Sequence, residues 1–404
     1  MGFDIAIIGA GLAGLSAARS VLARGDLSLA IIEARGIGSN NPSPLTFLDV
    51  LAEHELLDCI KEKYSTFTFH NLNGSSVKYV FPNESLVILD YRKACNKIFN
   101  QVDTDDNNLE FIDEYVTNIE PTNNGIHISL ENGNRIFSKI LIDASGKSQL
   151  VASKLAQSNT SYYSHVFGAL FTNVKDLSEP LCCFLLPSQE LGSGGGWFYS
   201  LGSNAASFGY AQITDHPKTD NKALKTIFQM AQEKFEPYSK YLQQAKIHHI
   251  EQGVIPISHI NRFVYGNILV VGDAAGMATN WTCMGIEPAL KYGELAGKLA
   301  AAAIMENGYG KLRHFQEEWD KENKSSFGHM MKLAPTFWNS DHYFWEWIIK
   351  NDLAYLSPEQ AIYRLKNNDH LLKKHQIVMR TLNYKIRSKI NTKNQDPRSF
   401  IINT

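Results

Sequence analysis

The chain has few cysteines, almost no net charge and no apolar run long enough to cross a bilayer. Its 404 residues hold five cysteines, Cys59, Cys95, Cys182, Cys183 and Cys283. None stands in a C-x-x-C pair or at a metal-like spacing from histidine, so neither a zinc site nor a disulfide framework is expected. An odd, scattered set reads as buried thiols in a reducing compartment. A formal charge of −2 gives no reason to expect nucleic acid as a partner. The run Leu295–Ile304 is too short for a membrane span, and the apolar stretch Phe3–Ala18 lacks the basic flank of a secretory signal. The expectation is a cytoplasmic protein, free or lying on a membrane surface.

What is present is an ordinary globular composition, 44% apolar and 20% charged, in a chain long enough for two joined domains. Asp4–Ile8 is a short apolar run that opens into Gly9. A helical pattern follows, with Leu12, Leu15, Ala18 and Leu22 on one face. Gly25 and Asp26 break it, and Leu27–Glu33 reads as a second strand. Gly9-Ala10-Gly11-Leu12-Ala13-Gly14 is thus a G-x-G-x-x-G at the joint of a strand–helix–strand unit. Gly9 makes the tight turn, Gly11 lets backbone approach a pyrophosphate, and Gly14 lets helix pack on strand. The helix amino end offers unpaired N–H groups to phosphate. Glu33, 19 residues after Gly14, ends the second strand, where an acid accepts from a ribose 2′-hydroxyl; Ala34 and Arg35 follow it. The glycines alone are weak evidence, but with both strands and Glu33 they define a dinucleotide site. They do not choose between NAD and FAD.

Further along, Leu45–Tyr64 predicts a helix and Thr66–Phe81 a hairpin about Asn73-Gly74. Asp90–Phe99 is a helix candidate. Gly125–Leu130 and Lys139–Asp143 read as strands about Asn132-Gly133. Residues 160–255 are mostly strand-like, with one helix over Asn221–Phe235. Val254–Gly272 returns to strand, and Gly285–Met305 is a strong helix. From Lys311 onward the pattern is helical and aromatic-rich, with a basic end.

A second signature lies in the far half. Asn267–Val271 reads as a buried strand ending in Gly272-Asp273-Ala274-Ala275-Gly276, and Gly285-Ile286 opens a long helix nine residues later. This resembles the flavin-contact motif of the FAD superfamily of the p-hydroxybenzoate hydroxylase fold. That superfamily includes geranylgeranyl reductases, lycopene cyclases and flavin-dependent halogenases. The resemblance implies that Asp273 reaches the ribityl chain. It also implies that the helix entered through Met284, Gly285 and Ile286 points its amino end at the flavin pyrimidine edge. Such an end stabilises a negative charge by roughly 0.3–2 kcal/mol, which favours the reduced, anionic ring. The resemblance also assigns Asp143 and Gly146 of Asp143-Ala144-Ser145-Gly146, Arg92 at a helix head, and Val116 near the adenine to the cofactor. A solvated surface charge is an equal reading of Arg92. The resemblance covers roughly residues 1–320.

The implied fold is α/β: a Rossmann-like FAD-binding domain from residues 1–65, 82–157 and 256–310, an inserted β-sheet substrate domain from 66–81 and 158–255, and a helical C-terminal region from 311–404. Gly196-Trp197-Phe198-Tyr199-Ser200 resembles the W-x-[FI]-P strand that passes over the flavin, with Ser200 in place of proline. Trp197 and Tyr199 share a strand face and form a candidate substrate wall, although core packing is the commoner use of strand aromatics. Asn280, Cys283 and Met284 depart from the reductase loop pattern and Trp281 lies beside them, so Asn280 and Trp281 are substrate candidates. Catalytic candidates are limited to Cys283 and His70, a thiol whose plainer role is filler and a histidine whose plainer role is structural.

Several family marks are missing: the hydroxylases' Asp-Gly, here Asp143-Ala144; the cyclases' acid motif; and the reductases' Cys-Gly pair, here Gly38-Ser39. The reading placed first is an FAD-dependent monooxygenase on an apolar or aromatic small molecule or a tethered intermediate. The alternative is a reductase of an isoprenoid or other carbon–carbon double bond. A further alternative is a non-redox cyclase or FAD-binding scaffold. Electrons would come from NAD(P)H, directly or through a flavin reductase. Aromatics from Phe337 to Trp347 suggest either a pocket lid or a helical hairpin packed on the outside, and Ser357-Pro358-Glu359 loosely resembles a reductase C-terminal segment. The basic stretch Arg364–Arg398, with Lys373, Lys374, Arg380, Lys385, Arg387 and Lys389, suggests contact with anionic lipid or an acidic carrier protein; a solvated helical face is its plainer reading.

Overall fold

Strands buried on both faces read as continuous apolar runs, and three such runs build the centre of the first sheet. In the computed structural model, β1 (Gly2–Ile8) pairs in parallel with β2 (Leu29–Ile32) on one side and β11 (Arg135–Asp143) on the other. The sheet continues from β2 to β8 (Leu109–Ile112), and from β11 to β18 (Ile268–Val270) and β17 (Val264–Tyr265). β9 (Val116–Thr122) and β10 (Gly125–Leu130) join antiparallel through β11. The structure describes residues 2–350 apart from 40–41, 82–84, 103–107, 157–159, 176, 178, 189, 219 and 236–237. The segments at 357–359 and 364–398 singled out above lie outside the described residues.

A small antiparallel sheet, β3 (Leu45–Phe47), β7 (Leu86–Leu89) and β4 (Ile60–Tyr64), follows the loop after β2. This corrects the helix expected over 45–64. Only α2 (Leu48–Glu53) and a single 3-10 turn at Leu57–Cys59 are helical there. The fully buried Leu-Val-Ile-Leu of β7 recruits strands on both sides, and Glu55 takes a positive φ that ends the helix. Tertiary pairing thereby overrides local pattern.

The third sheet has seven strands in the order β16 (Lys246–Pro256), β12 (Tyr163–Thr172), β15 (Ala205–Thr214), β14 (Gly194–Ser200), β13 (Cys182–Leu185), β5 (Thr66–His70) and β6 (Ser76–Val80). Only the β5–β13 pair is parallel. One face is covered by α4 (Asn221–Lys234) and α5 (Ser239–Leu242), which bury Leu224, Phe228 and Leu242 against Phe167, Phe198 and Phe208. Side chains on strands alternate between faces, so Trp197 and Tyr199 point away from these helices.

α1 (Leu12–Leu22) crosses α6 (Ile286–Met305) at close range, and α3 (Tyr91–Val102) packs beside α1. Gly293 and Gly297 of α6 make that approach possible: a Cβ on them would lie 2.3 Å from the Ala13 carbonyl oxygen and 2.2 Å from that of Ala17. Gly293→Ala is therefore expected to destabilise the fold by about 1–3 kcal/mol, the usual cost of overpacking. Thermal and urea unfolding with and without added FAD would measure it; an unchanged melting profile would contradict the account. α7 (His314–Trp338) and α8 (His342–Lys350) complete the described chain. Trp319 and Phe315 of α7 bury against Phe263, while Phe344 and Trp345 of α8 bury beside Leu186.

Candidate flavin and substrate site

The first and third sheets enclose a cavity of about 710 Å³ between them, within the 300–1,000 Å³ usual for ligand pockets. On its nucleotide side it is lined by Gly9–Ala13, Glu33–Arg35, Val116, Ala144–Ser148, Gly272, Asp273 and Met284–Ile286. On its other side stand Phe69, Phe184, Trp197, Tyr199 and Glu251, and Trp281, Cys283, Phe337, Trp338 and Trp345 also contribute.

Gly9 has a φ of +106°, and a Cβ there would lie 2.3 Å from the Ala144 carbonyl oxygen. Glycine is required on both counts. Gly14 does not line the cavity. A Cβ on it would lie 2.0 Å from the Gly9 carbonyl oxygen, so it serves the packing of α1 on the turn. Glu33 is held by two backbone donors, Ala10 N–H at 3.1 Å and Arg35 N–H at 2.8 Å. Two helices direct their amino ends at the cavity. Gly11 precedes α1 and Gly285 precedes α6 as their N-cap residues, and neither helix has a side-chain cap. Pro288 has no N–H, so α6 offers the groups of Ile286 and Glu287. Both ends carry the partial positive charge of unsatisfied N–H groups. Burial raises the Asp273 carboxyl to about 6, and no protein hydrogen bond offsets that rise.

The structure separates the other candidates. Ala34, Arg35, Val116, Gly146, Met284, Trp197, Tyr199, Trp281 and Cys283 line the cavity. Arg92 does not; it is exposed, and its neighbour Tyr91 takes the lining position. Tyr91 was not singled out from sequence, yet its hydroxyl lies 3.0 Å from where a Gly11 Cβ would be. Burial pushes the Tyr91 hydroxyl well above its usual range. Asp143 is fully buried behind the lining, accepting from Ser145 N–H at 3.0 Å and Val151 N–H at 2.8 Å. It shapes the turn that carries Ala144–Ser148 and does not reach the cavity. Gly276 has a φ of +68° and would clash with the Ser258 carbonyl oxygen at 2.2 Å; it closes the turn behind Asp273.

Asn280 is also placed elsewhere than expected: it is fully buried and donates to the Ile257 carbonyl at 2.5 Å, away from the lining. His70 projects to the helix-covered face, edge-on to Tyr238 at 4.9 Å, and burial lowers it to about 4. It is neutral at pH 7 and outside the cavity. Phe69, its neighbour, faces in, as strand alternation across Thr66–His70 would indicate. Cys283 lines the cavity, but burial pushes its thiol up to about 11, which leaves little thiolate near neutrality.

A flavin fits this lining: a glycine turn and an uncapped helix end suit a pyrophosphate, and the second uncapped end and the Asp273 carboxyl suit the ring and its polyol. The family model described as lycopene cyclase protein matches residues 4–183. A digeranylgeranylglycerophospholipid reductase 2 of Methanopyrus kandleri is 28% identical over 165 residues, 40% of this chain and 41% of that protein. A digeranylgeranylglycerophospholipid reductase 1 of Methanosphaera stadtmanae is 26% identical over 341 residues, 80% of this chain and 81% of that protein. The chain thus spans about two fifths of the first relative and four fifths of the second. A geranylgeranyl bacteriochlorophyll reductase-like protein of Thermoplasma acidophilum superposes with a TM-score of 0.70 at 17% identity, covering 99% of both chains. A flavin-dependent brominase superposes with a TM-score of 0.71 at 16% identity, covering 96% of this chain and 100% of the other.

Fold and cavity together define an α/β protein in which a sheet with a dinucleotide-type glycine turn faces a second, largely antiparallel sheet across one cavity. The chain is similar in sequence to these reductases and, over residues 4–183, to the lycopene cyclase model, and it shares its fold with the reductase-like protein and the brominase. No helix among the described residues is long and apolar enough to cross a membrane, and no described cluster has the makings of a metal site.

Proposed function

We propose that the protein is an FAD-dependent monooxygenase acting on a planar, apolar or aromatic small molecule. Bound FAD supplies the redox chemistry, and the protein supplies position, dryness and electrostatics. The α1 amino end and the Gly9 turn would bind the pyrophosphate, Asp273 would accept from the ribityl chain, and the α6 amino end would favour the reduced ring. The carrying observation is the aromatic enclosure of the far half of the cavity: Trp281 stacks on Phe69 at 5.9 Å, and Trp197, Tyr199, Trp338 and Trp345 close around it. Aromatic faces suit a flat ring, and the about 710 Å³ that must also take the cofactor suits a small molecule.

A second reading, reduction of an isoprenoid double bond, is supported by the reductase names of the curated relatives. The absence of Asp-Gly at Asp143-Ala144 favours a separate flavin reductase over direct NAD(P)H use. Purified protein bound to FAD is expected to stay oxidised for minutes with NADPH or NADH alone and to turn over when a flavin reductase is added. Products formed under labelled dioxygen should carry the label. Rapid bleaching by NAD(P)H alone would assign the donor to this chain. Unlabelled, saturated product formed without oxygen would replace the first reading with the second.

A further inference from the structure

The indole of Trp197 lies in a slot made by two glycines. A Cβ on Gly168 would stand 2.7 Å from its Cζ2, and one on Gly209 only 2.3 Å from the same atom. Its Nε1 donates to Ser207 Oγ at 2.9 Å, and Ser207 Oγ donates to Glu251 Oε2 at 2.8 Å. The direction is forced, because an indole N–H only donates, so the serine proton must pass onward to the carboxylate. Ser43 Oγ donates to Glu251 Oε1 at 2.7 Å. Ser43 stands in the loop between β2 and β3, so Glu251 ties the nucleotide-side loop to the substrate-side floor. Glu251 is 9% exposed, lines the cavity, and has no basic partner among the described residues.

A buried carboxylate without a counter-charge is costly, and neutral donors offset only part of that cost. The two serines use two of its roughly four acceptor sites. A cation brought into the cavity would meet the remaining sites and the adjoining indole face, where cation–π attraction adds about 0.5–2 kcal/mol. We propose that Glu251 is a specificity-determining residue that selects a substrate carrying a protonated amine and holds it over Trp197. This rests on the reading that the aromatic half of the cavity takes the substrate.

The test uses the FAD-bound protein, with its flavin spectrum titrated by three probes of one shape: tryptamine, 3-ethylindole and indole-3-propionate. Tryptamine is expected to bind about tenfold or more tighter than 3-ethylindole, and the anion weakest. Glu251→Gln should bring tryptamine and 3-ethylindole within about twofold of each other. Equal binding of the neutral probe, preference for the anion, no tryptamine binding, or a preference that survives Glu251→Gln would overturn the proposal. The wild-type comparison decides the matter even if the variant does not fold. Failure of the flavin reading would show itself separately, as protein that carries no FAD before any probe is added.

Discussion

Replacing Gly11 by Val is expected to give a folded but colourless protein. The three motif glycines are not equivalent. At Gly9 and Gly14 an added Cβ would collide with backbone oxygens at 2.3 and 2.0 Å, so substitution there disturbs the fold itself. Gly11 has a φ of −85° and an extended ψ, a conformation open to any residue, and its only close neighbour would be the Tyr91 hydroxyl at 3.0 Å. The valine methyls would instead occupy the space in front of the α1 amino end, where a pyrophosphate has to approach the backbone. Loss of that approach also removes the helix-end contribution to anion binding. FAD affinity should fall about a hundredfold or more, equivalent to about 2.7 kcal/mol. Fluorescence titration of the apoprotein with FAD would measure the loss, and circular dichroism would check that the fold persists. A yellow variant with wild-type stoichiometry would refute the placement of the pyrophosphate at this turn.

That experiment turns on features legible in the sequence because they are local. A strand, a glycine turn and a helix start are contiguous, so Gly9–Gly14 and Glu33 could be read as one unit, as could Gly272–Gly276 with the helix at Gly285. Facing was harder to read. Nothing local tells that Asp143 turns inward to cap Ser145 and Val151, or that Asn280 turns to the Ile257 carbonyl. Arg92 and Tyr91 are adjacent in sequence, and only the packing of α3 beside α1 decides that the tyrosine faces the cavity. Glu251 left no local signal at all: its partner Ser43 lies 208 residues away, and the contact exists only because two sheets meet. The strands flanking β7 were lost for the same reason, since their partner lies beyond the segment that mimics a helix. Resemblance carried the fold and the cofactor, while the reaction rests on side chains that long-range packing orients.

FAD affinity is expected to rise with pH between about 5 and 7, and to lose that dependence in Asp273→Asn. Burial moves the Asp273 carboxyl from 3.8 to about 6. A raised folded value means that protonation favours the folded, flavin-free protein. The stability it contributes is fully present below 3.8 and is lost as pH climbs through about 6. A ribityl hydroxyl donating to the carboxylate stabilises the charged form and lowers that value again. Binding therefore releases a proton across this range, and affinity tightens by up to about tenfold for each unit of lowering. The titratable groups beside Asp273 do not interfere, because burial raises the Tyr91 hydroxyl well above its usual range and Cys283 to about 11, so both stay neutral. Asparagine keeps the shape and cannot titrate, so its affinity should be flat with pH. The flavin-free variant should be more stable than wild type at pH 7 to 8, where the parent bears the full cost of a buried charge, and no more stable at acid pH. Apoprotein titrations at pH 5, 6, 7 and 8 would read the slope. A wild-type affinity that is level across them would mean that no flavin hydroxyl reaches Asp273, and the ring would then have to be held from the α6 amino end alone.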